Sequence, residues 1–317
     1  MDRVSAVGLN GRVATAKVNM RSGLWLVVLG SALWGVDPLF RILLLKSFTS
    51  TQIVLIEHVL LLVYALPVVW LHRQELRGLK LRHLMALLFI SWGGSALATI
   101  LFTSAFAHGN PNAVLLLQKL QPLFAIILAR IVLKESLPRR FALLLILALL
   151  GTYLLTFGWK APIGHWGDIA TWSGLLSIGA AALWGGSTVM GRLMLGQMKF
   201  ETVTALRFLL ALPLLLALAA GQGMALVQPA HSIAWGAVIV NLVMGAFIPG
   251  LLSLLLYYRG LTDTKASYAT LAELSFPAVG LLINWLVFQQ AVTPDQLVGF
   301  VIIWAALFGL SRQSQSE

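Results

Sequence analysis

The chain has 317 residues, 59% hydrophobic and 10% charged, with a mean hydropathy of +0.89; soluble domains carry about 25% charged residues, so this is the composition of a polytopic membrane protein. It has no Cys, which excludes disulfides, thiolate metal sites and cysteine nucleophiles, and its six His are scattered without the i, i+4 pair of a helical zinc site, so no metal or other cofactor is expected. The net charge of +11 would suit nucleic acid or anionic substrates, unless the placement of the charges explains it.

A bilayer core of about 30 Å needs roughly 20 apolar helical residues. Residues 1–21 are polar and basic without an apolar centre, so they read as a cytoplasmic tail and not as a cleaved signal peptide. Apolar runs follow at about 22–45, 51–71, 83–107, 111–132, 140–157, 169–191, 201–220, 234–258, 265–288 and 294–311, which predicts ten transmembrane helices. The connections are short, with the longest polar one at 158–168, and 312–317 forms a short tail. Of the 22 Lys and Arg, 17 fall on one side, from Arg3 in the first tail to Arg312 in the last, against three (Arg41, Lys46, Lys160) on the other and two (Lys119, Arg207) within spans. Positively charged short loops stay in the cytoplasm, which puts both termini there. The basic balance is then topological, and nucleic acid loses its support as a partner.

The first span contains ALWGVDPLFR, residues 32–41, and the sixth contains ALWGGSTVMGR, residues 182–192. The offset of 150 also sets Glu57-His58 of the second span opposite Arg207-Phe208 of the seventh. Later, QKLQPLFAIILARIVLKE from Gln118 aligns with ELSFPAVGLLINWLVFQQ from Glu273 at an offset of 155, so Pro122 meets Pro277. A duplicated five-helix unit follows, and because five is odd the second copy enters the membrane from the opposite side. The domain plan is a tail (1–21), a first repeat (22–157), an external linker (158–168), a second repeat (169–311) and a tail (312–317).

These phrases, with LKESL at 133–137 and LPLLLALAAG in the seventh span, resemble the drug/metabolite transporter superfamily, in particular its EamA type, over residues 22–311. The resemblance implies ten helices around a central cavity that moves small organic solutes, commonly outward. The sequence departs from strict repetition where Glu135 faces Gln290 and where Glu57-His58 faces Arg207-Phe208.

Ionisable side chains at membrane depth cost about 2.5 to 3.5 kcal/mol on insertion scales, so they normally face a cavity or a partner. Asp37 precedes Pro38, which frees a carbonyl one turn back; the pair either breaks the helix over a cavity or ends it near the surface, with Asp37 paired to Arg41. Glu273 lies four residues before Pro277, and its counterpart Gln118 holds the same place in the fourth span. Polar groups at symmetry-related midplane positions suit a binding site, and Glu273 could carry a proton or face a substrate ammonium; the plainer role is a helix-to-helix hydrogen bond. Lys119 is about 100° round its helix from Gln118, so the two point apart, and a structural salt bridge rivals substrate contact for it. For Arg207 the choices are snorkelling to headgroups, pairing with Glu57, or touching substrate. Glu57 and His58 are candidates for coupling or gating. Trp34 and Trp184, each before a Gly, are candidates for cavity wall or core, whereas Trp70, Trp159, Trp166 and Trp172 near span ends read as interfacial belt. Tyr268, five residues before Glu273, is a candidate hydroxyl donor to the cavity. Gly93-Gly94, Gly185-Gly186 and Pro249-Gly250 supply small or breaking residues inside spans.

The expected function is a secondary transporter of the bacterial inner membrane that exports amphipathic metabolites, amino acids or their relatives foremost, with proton coupling or exchange. Glu273 beside Lys119 and Arg207 suits a zwitterion, and no Gly-x-x-x-x-Gly-Lys-Ser/Thr loop is present to use ATP. Exchange of phosphorylated solutes would want clustered bases at depth, where only Lys119 and Arg207 stand. An intramembrane enzyme would need a paired acid and base or a metal constellation, and neither His-Glu-x-x-His nor Gly-x-Ser-x-Gly occurs. The partners are the bilayer and a small molecule, with monomer and homodimer both open.

Overall fold

The computed structural model describes residues 20–108, 111–137, 140–161, 171–222, 233–287, 289 and 291–313. The N-terminal tail as far as residue 19, the linker from 162 (with Trp166), Gln290 and the C-terminal tail from 314 lie outside the described residues. Among the described residues the regular structure is entirely helical. Among the described residues, eight helices are long and apolar enough to cross a membrane, or nine when the pair Ser50–Leu60 and Leu62–Leu71, bent by 46°, counts as one span. The fifth predicted span holds Phe141–Phe157, an apolar helix of 17 residues, shorter than the roughly 20 that a bilayer core asks for.

Most predicted spans are interrupted, and proline chemistry accounts for several of the breaks. In the first, α1 (Met20–Trp34) stops and α2 (Asp37–Leu44) restarts after Gly35 and Val36. Pro38 has no N–H to continue α1 but is tolerated in the first turn of α2. The second span is α3 (Ser50–Leu60) and α4 (Leu62–Leu71); α3 opens on a capping box in which Thr49 Oγ accepts from Gln52 N at 3.2 Å and Gln52 Oε1 from Thr49 N at 2.9 Å. In the third, α5 (Leu81–Leu88) and α6 (Ala98–His108) flank a π-helical stretch, Phe89–Leu97, around Gly93-Gly94. The fourth is split into α7 (Pro111–Gln118) and α8 (Gln121–Val132), because Pro122 cannot donate to the carbonyl of Gln118. The fifth is α9 (Phe141–Phe157).

The later spans carry breaks at related places. The sixth, α10 (Trp172–Leu195), and seventh, α11 (Phe200–Gln222), are unbroken, α10 having no proline where α2 has Pro38. The eighth places a π-helical stretch, Ala246–Leu252, with Pro249-Gly250 between α12 (Trp235–Gly245) and α13 (Ser253–Leu261). The ninth divides at Glu273-Leu274 into α14 (Ala266–Ala272) and α15 (Ser275–Leu286), since Pro277 leaves the Glu273 carbonyl without its helical donor. The last is α16 (Pro294–Gln313). The first turn of α14 is capped from a distance: Glu135 accepts from Ala266 N at 2.7 Å, Ser267 N at 3.0 Å and Ser267 Oγ at 2.7 Å, a favourable place for a carboxylate.

Helices in lipid gain little from mutual burial and depend on close contact, which small residues allow. Where α9 packs on α16, a Cβ on Gly151 would meet the Gly299 carbonyl at 2.9 Å, and one on Gly299 the Gly151 carbonyl at 2.6 Å. Where α1 packs on α13, a Cβ on Gly30 would meet the Ser253 carbonyl at 2.6 Å. The largest buried cluster includes Leu24, Phe141, Met194, Tyr258 and Tyr268.

Candidate functional site: a charge-balanced central cavity

The interruptions surround one cavity of about 620 Å³, walled by residues from the first, second, third, fourth, sixth, seventh, eighth and ninth predicted spans. Irregular backbone at membrane depth is tolerated where it lines a cavity, and both π-helical stretches do so, through Gly94-Ser95 and Pro249-Gly250. Six ionisable side chains carry its charge: Asp37, Glu57 and Glu273 against Arg41, Lys119 and Arg207. The cavity is balanced, three carboxylates to three cations.

Toward Leu45, Ser50 and Thr103, Arg41 is the hub of an ion cluster. Its Nε and Nη2 donate to the two carboxylate oxygens of Asp37 at 2.5 and 2.9 Å, a bidentate pair one helical turn apart. Nη2 also lies 3.4 Å from both oxygens of Glu57, so α2 is tied to α3. Of the choices the sequence left for Arg207, pairing with Glu57 is not made, since the Glu57 carboxylate faces Arg41 on the restarted α2. His58 lines the cavity too; its Nδ1 bonds the Val54 carbonyl at 2.8 Å and its ring meets Phe208 edge-on at 5.4 Å.

Deeper in, a polar chain links Gln118 to Glu273. Gln118 Nε2 donates to Gln121 Oε1 at 3.2 Å, and Gln121 Nε2 to Glu273 Oε2 at 2.5 Å. The other oxygen of Glu273 accepts from Tyr257 Oη at 2.6 Å and Thr188 Oγ at 2.9 Å. Glu273 is therefore held by three uncharged donors. Arg207 is held by uncharged acceptors: Nε donates to Ser95 Oγ at 2.8 Å, and Nη1 to Ser187 Oγ at 3.2 Å and Tyr258 Oη at 2.8 Å. It does not snorkel to the surface. Lys119 makes no salt bridge among the described residues; its ammonium lies 5.1 Å from the Phe276 ring centroid.

Aromatic rings close the walls. Trp34 and Trp184 both line the cavity, Trp34 packing at 5.2 Å on Tyr257, and Trp184 at 5.2 Å on Phe102 with its Nε1 donating to the Gly94 carbonyl at 3.1 Å. Tyr268 corrects the sequence reading: it is fully buried, stacked at 5.6 Å on Phe141, and away from the cavity. Five residues are 500° of helix, so Tyr268 points about 140° away from Glu273. Tyr257 and Tyr258 supply the hydroxyls instead. Of the residues the sequence reading passed over, Gln121 had a signal in its i, i+3 spacing from Gln118, and Thr188 in its i, i+4 spacing from Trp184. Tyr257 had none, since its partner stands sixteen positions away in another span.

An all-helical, multi-pass protein whose broken helices enclose a polar cavity belongs to the class of small-molecule transporters. The sequence matches the EamA-like transporter family over residues 21–157 and again over 171–312. The chain belongs to that family, as a multi-pass protein of the bacterial inner membrane. Over 305 residues it is 32% identical to the riboflavin transporter ImpX of Fusobacterium nucleatum, covering 93% of this chain and 99% of that protein. It is also 28% identical over 263 residues to a riboflavin transporter of Brucella anthropi, covering 81% of this chain and 86% of the other. A solved structure described as "Crystal structure of protein" shares the fold, with a TM-score of 0.73 at 16% identity over 94% of this chain and 99% of its own.

Proposed function

We propose that this chain transports riboflavin or a closely similar solute: an uncharged, planar heteroaromatic ring bearing a polyhydroxylated chain. The observation that carries the reading is the charge balance of an aromatic-walled cavity. Three carboxylates offset three cations there, so the cavity carries no net charge to draw in an anion. Trp34, Trp184 and Phe276 offer ring faces, while Gln118, Gln121 and Thr188 offer groups that both donate and accept, as hydroxyls require. The volume of about 620 Å³ falls in the usual range for small-molecule sites, roughly 300 to 1,000 Å³. Both named relatives are riboflavin transporters.

Amino-acid export, the expectation from sequence, has no counterpart among those names. Its physical basis also weakens: a zwitterion needs a carboxylate free to meet its ammonium, and all three are engaged within the protein. Phosphorylated solutes fit worse still, because two of the three cations, Arg41 and Arg207, already hold partners.

The architecture we infer is ten spans in two inverted repeats, 22–157 and 169–311, with both termini cytoplasmic and transport by alternating access. Internal symmetry supports it. A Cβ on Gly35 would meet the Phe276 carbonyl at 2.6 Å and Gly280 N at 3.0 Å; one on Gly185 would meet the Gln121 carbonyl at 2.7 Å and Ala125 N at 2.9 Å. The two glycines are 150 positions apart and their partners 155, so one helix crossing recurs in each half. Glu273, on the axis between the halves, is the coupling candidate in this reading.

The test is counterflow in proteoliposomes loaded with riboflavin. Labelled riboflavin should enter saturably, with competition from unlabelled riboflavin and none from riboflavin phosphate or amino acids. Counterflow of amino acids without riboflavin flux would overturn the proposal.

A further inference from the structure

Of the six charged groups in the cavity, five have partners: Asp37, Arg41 and Glu57 hold one another, Glu273 has three donors, and Arg207 has three hydroxyls. Lys119 is the exception. It sits at the interruption between α7 and α8, where the chain is not committed to helix, and its ammonium has only the Phe276 ring beside it among the described residues. Lys119 is part-exposed and lines the cavity. A cation at membrane depth without an acceptor is costly, and the cost is offset when a ligand supplies one.

We infer that Lys119 is the specificity-determining residue of the site, its ammonium donating to the carbonyl-bearing edge of the substrate's ring system. This rests on the flavin reading above. An ammonium is a donor only and needs a pure acceptor. In riboflavin the concentrated acceptors are the two carbonyls flanking the imide nitrogen of the pyrimidine ring; the hydroxyls of the side chain, which also donate, suit Gln118 and Gln121. The placement fits a flat ring as well, since Phe276 beside the ammonium and Trp34, which also lines the cavity, offer π faces. A site built to hydrogen-bond a polar edge rejects analogues that lack or block it, because the buried group is then left unmet.

The experiment uses the full chain, purified in detergent, with riboflavin and its 2,4-dithio analogue as probes; sulfur in place of the two carbonyl oxygens is a weak acceptor and leaves the rest of the ring and the side chain intact. Wild type should prefer riboflavin, and Lys119→Met should weaken riboflavin binding by about 10- to 100-fold while leaving binding of the dithio analogue unchanged. Without ligand, Lys119→Met should unfold at or above the wild-type temperature, because an unmet charge has been removed, and should lose the stabilisation that riboflavin gives wild type. Preserved discrimination in Lys119→Met, or equal loss of both ligands with a lower unfolding temperature, would assign Lys119 to the scaffold and overturn the inference. Wild type that binds neither probe would bring down the flavin reading, and this inference with it.

Discussion

The Tyr257 hydroxyl donates to the Glu273 carboxylate at 2.6 Å, joining the eighth predicted span to the break in the ninth. Thr188 and Gln121 complete the set from the sixth and fourth. One carboxylate thus gathers four spans, and its charge is met by hydrogen bonds alone. Protonating it would remove the negative charge that all three donors meet and so weaken those bonds together, which is how a proton could bias the packing of those helices.

Glu273→Gln keeps the shape and one acceptor and removes the titrating group. In proteoliposomes with an imposed pH gradient, wild-type riboflavin flux should respond to the gradient, whereas Glu273→Gln should retain counterflow and lose the response. An unchanged response in the mutant would remove Glu273 from coupling. Tyr257→Phe, which deletes a hydrogen bond to a charged group, should slow exchange by roughly tenfold or more.

Arg41 stands between two carboxylates, and its side chain is only one-quarter exposed. Replacing it with Met leaves Asp37 and Glu57 facing each other without a cation, a larger penalty than losing an exposed surface pair. We expect Arg41→Met to lower stability by about 1 to 3 kcal/mol, read as a fall in unfolding temperature in detergent. Adding Asp37→Asn should restore part of the loss, because one of the opposed charges disappears. Additive losses in the double mutant would mean that the cluster is not coupled.

Gly35, just past α1, and Gly185, in α10, each stand against the backbone of a broken span, at α15 and α8 respectively. A methyl group at either has no flexible side chain to push aside, since carbonyl and amide atoms stand within 3.0 Å of it. Gly35→Ala and Gly185→Ala should each destabilise the protein by about 1 to 3 kcal/mol, by similar amounts. If the two losses differed strongly, the shared crossing inferred for the halves would fail. Gly221→Ala, where nothing lies within 4 Å, is the matched control and should be near neutral or slightly stabilising.

The membrane class, most of the apolar helices and the interruption at Asp37-Pro38 were readable from the sequence, because hydrophobic length and the missing proline N–H act locally along the chain, whereas Pro122 and Pro277 stood out only as matched prolines. So was the presence of Trp34, Trp184, Gln118 and Glu273 near the centre. What the tertiary structure decided was pairing. The sequence left Glu57 as one choice of partner for Arg207, yet Glu57 meets Arg41, and Arg207 turns to Ser95, Ser187 and Tyr258. It puts Tyr268 beside Glu273, yet Tyr257 from another span makes the bond. Periodicity fixes which way a side chain leaves its own helix, while its partner depends on how helices cross. In this chain that is set by glycine contacts such as Gly35 on Phe276, between residues more than 200 positions apart.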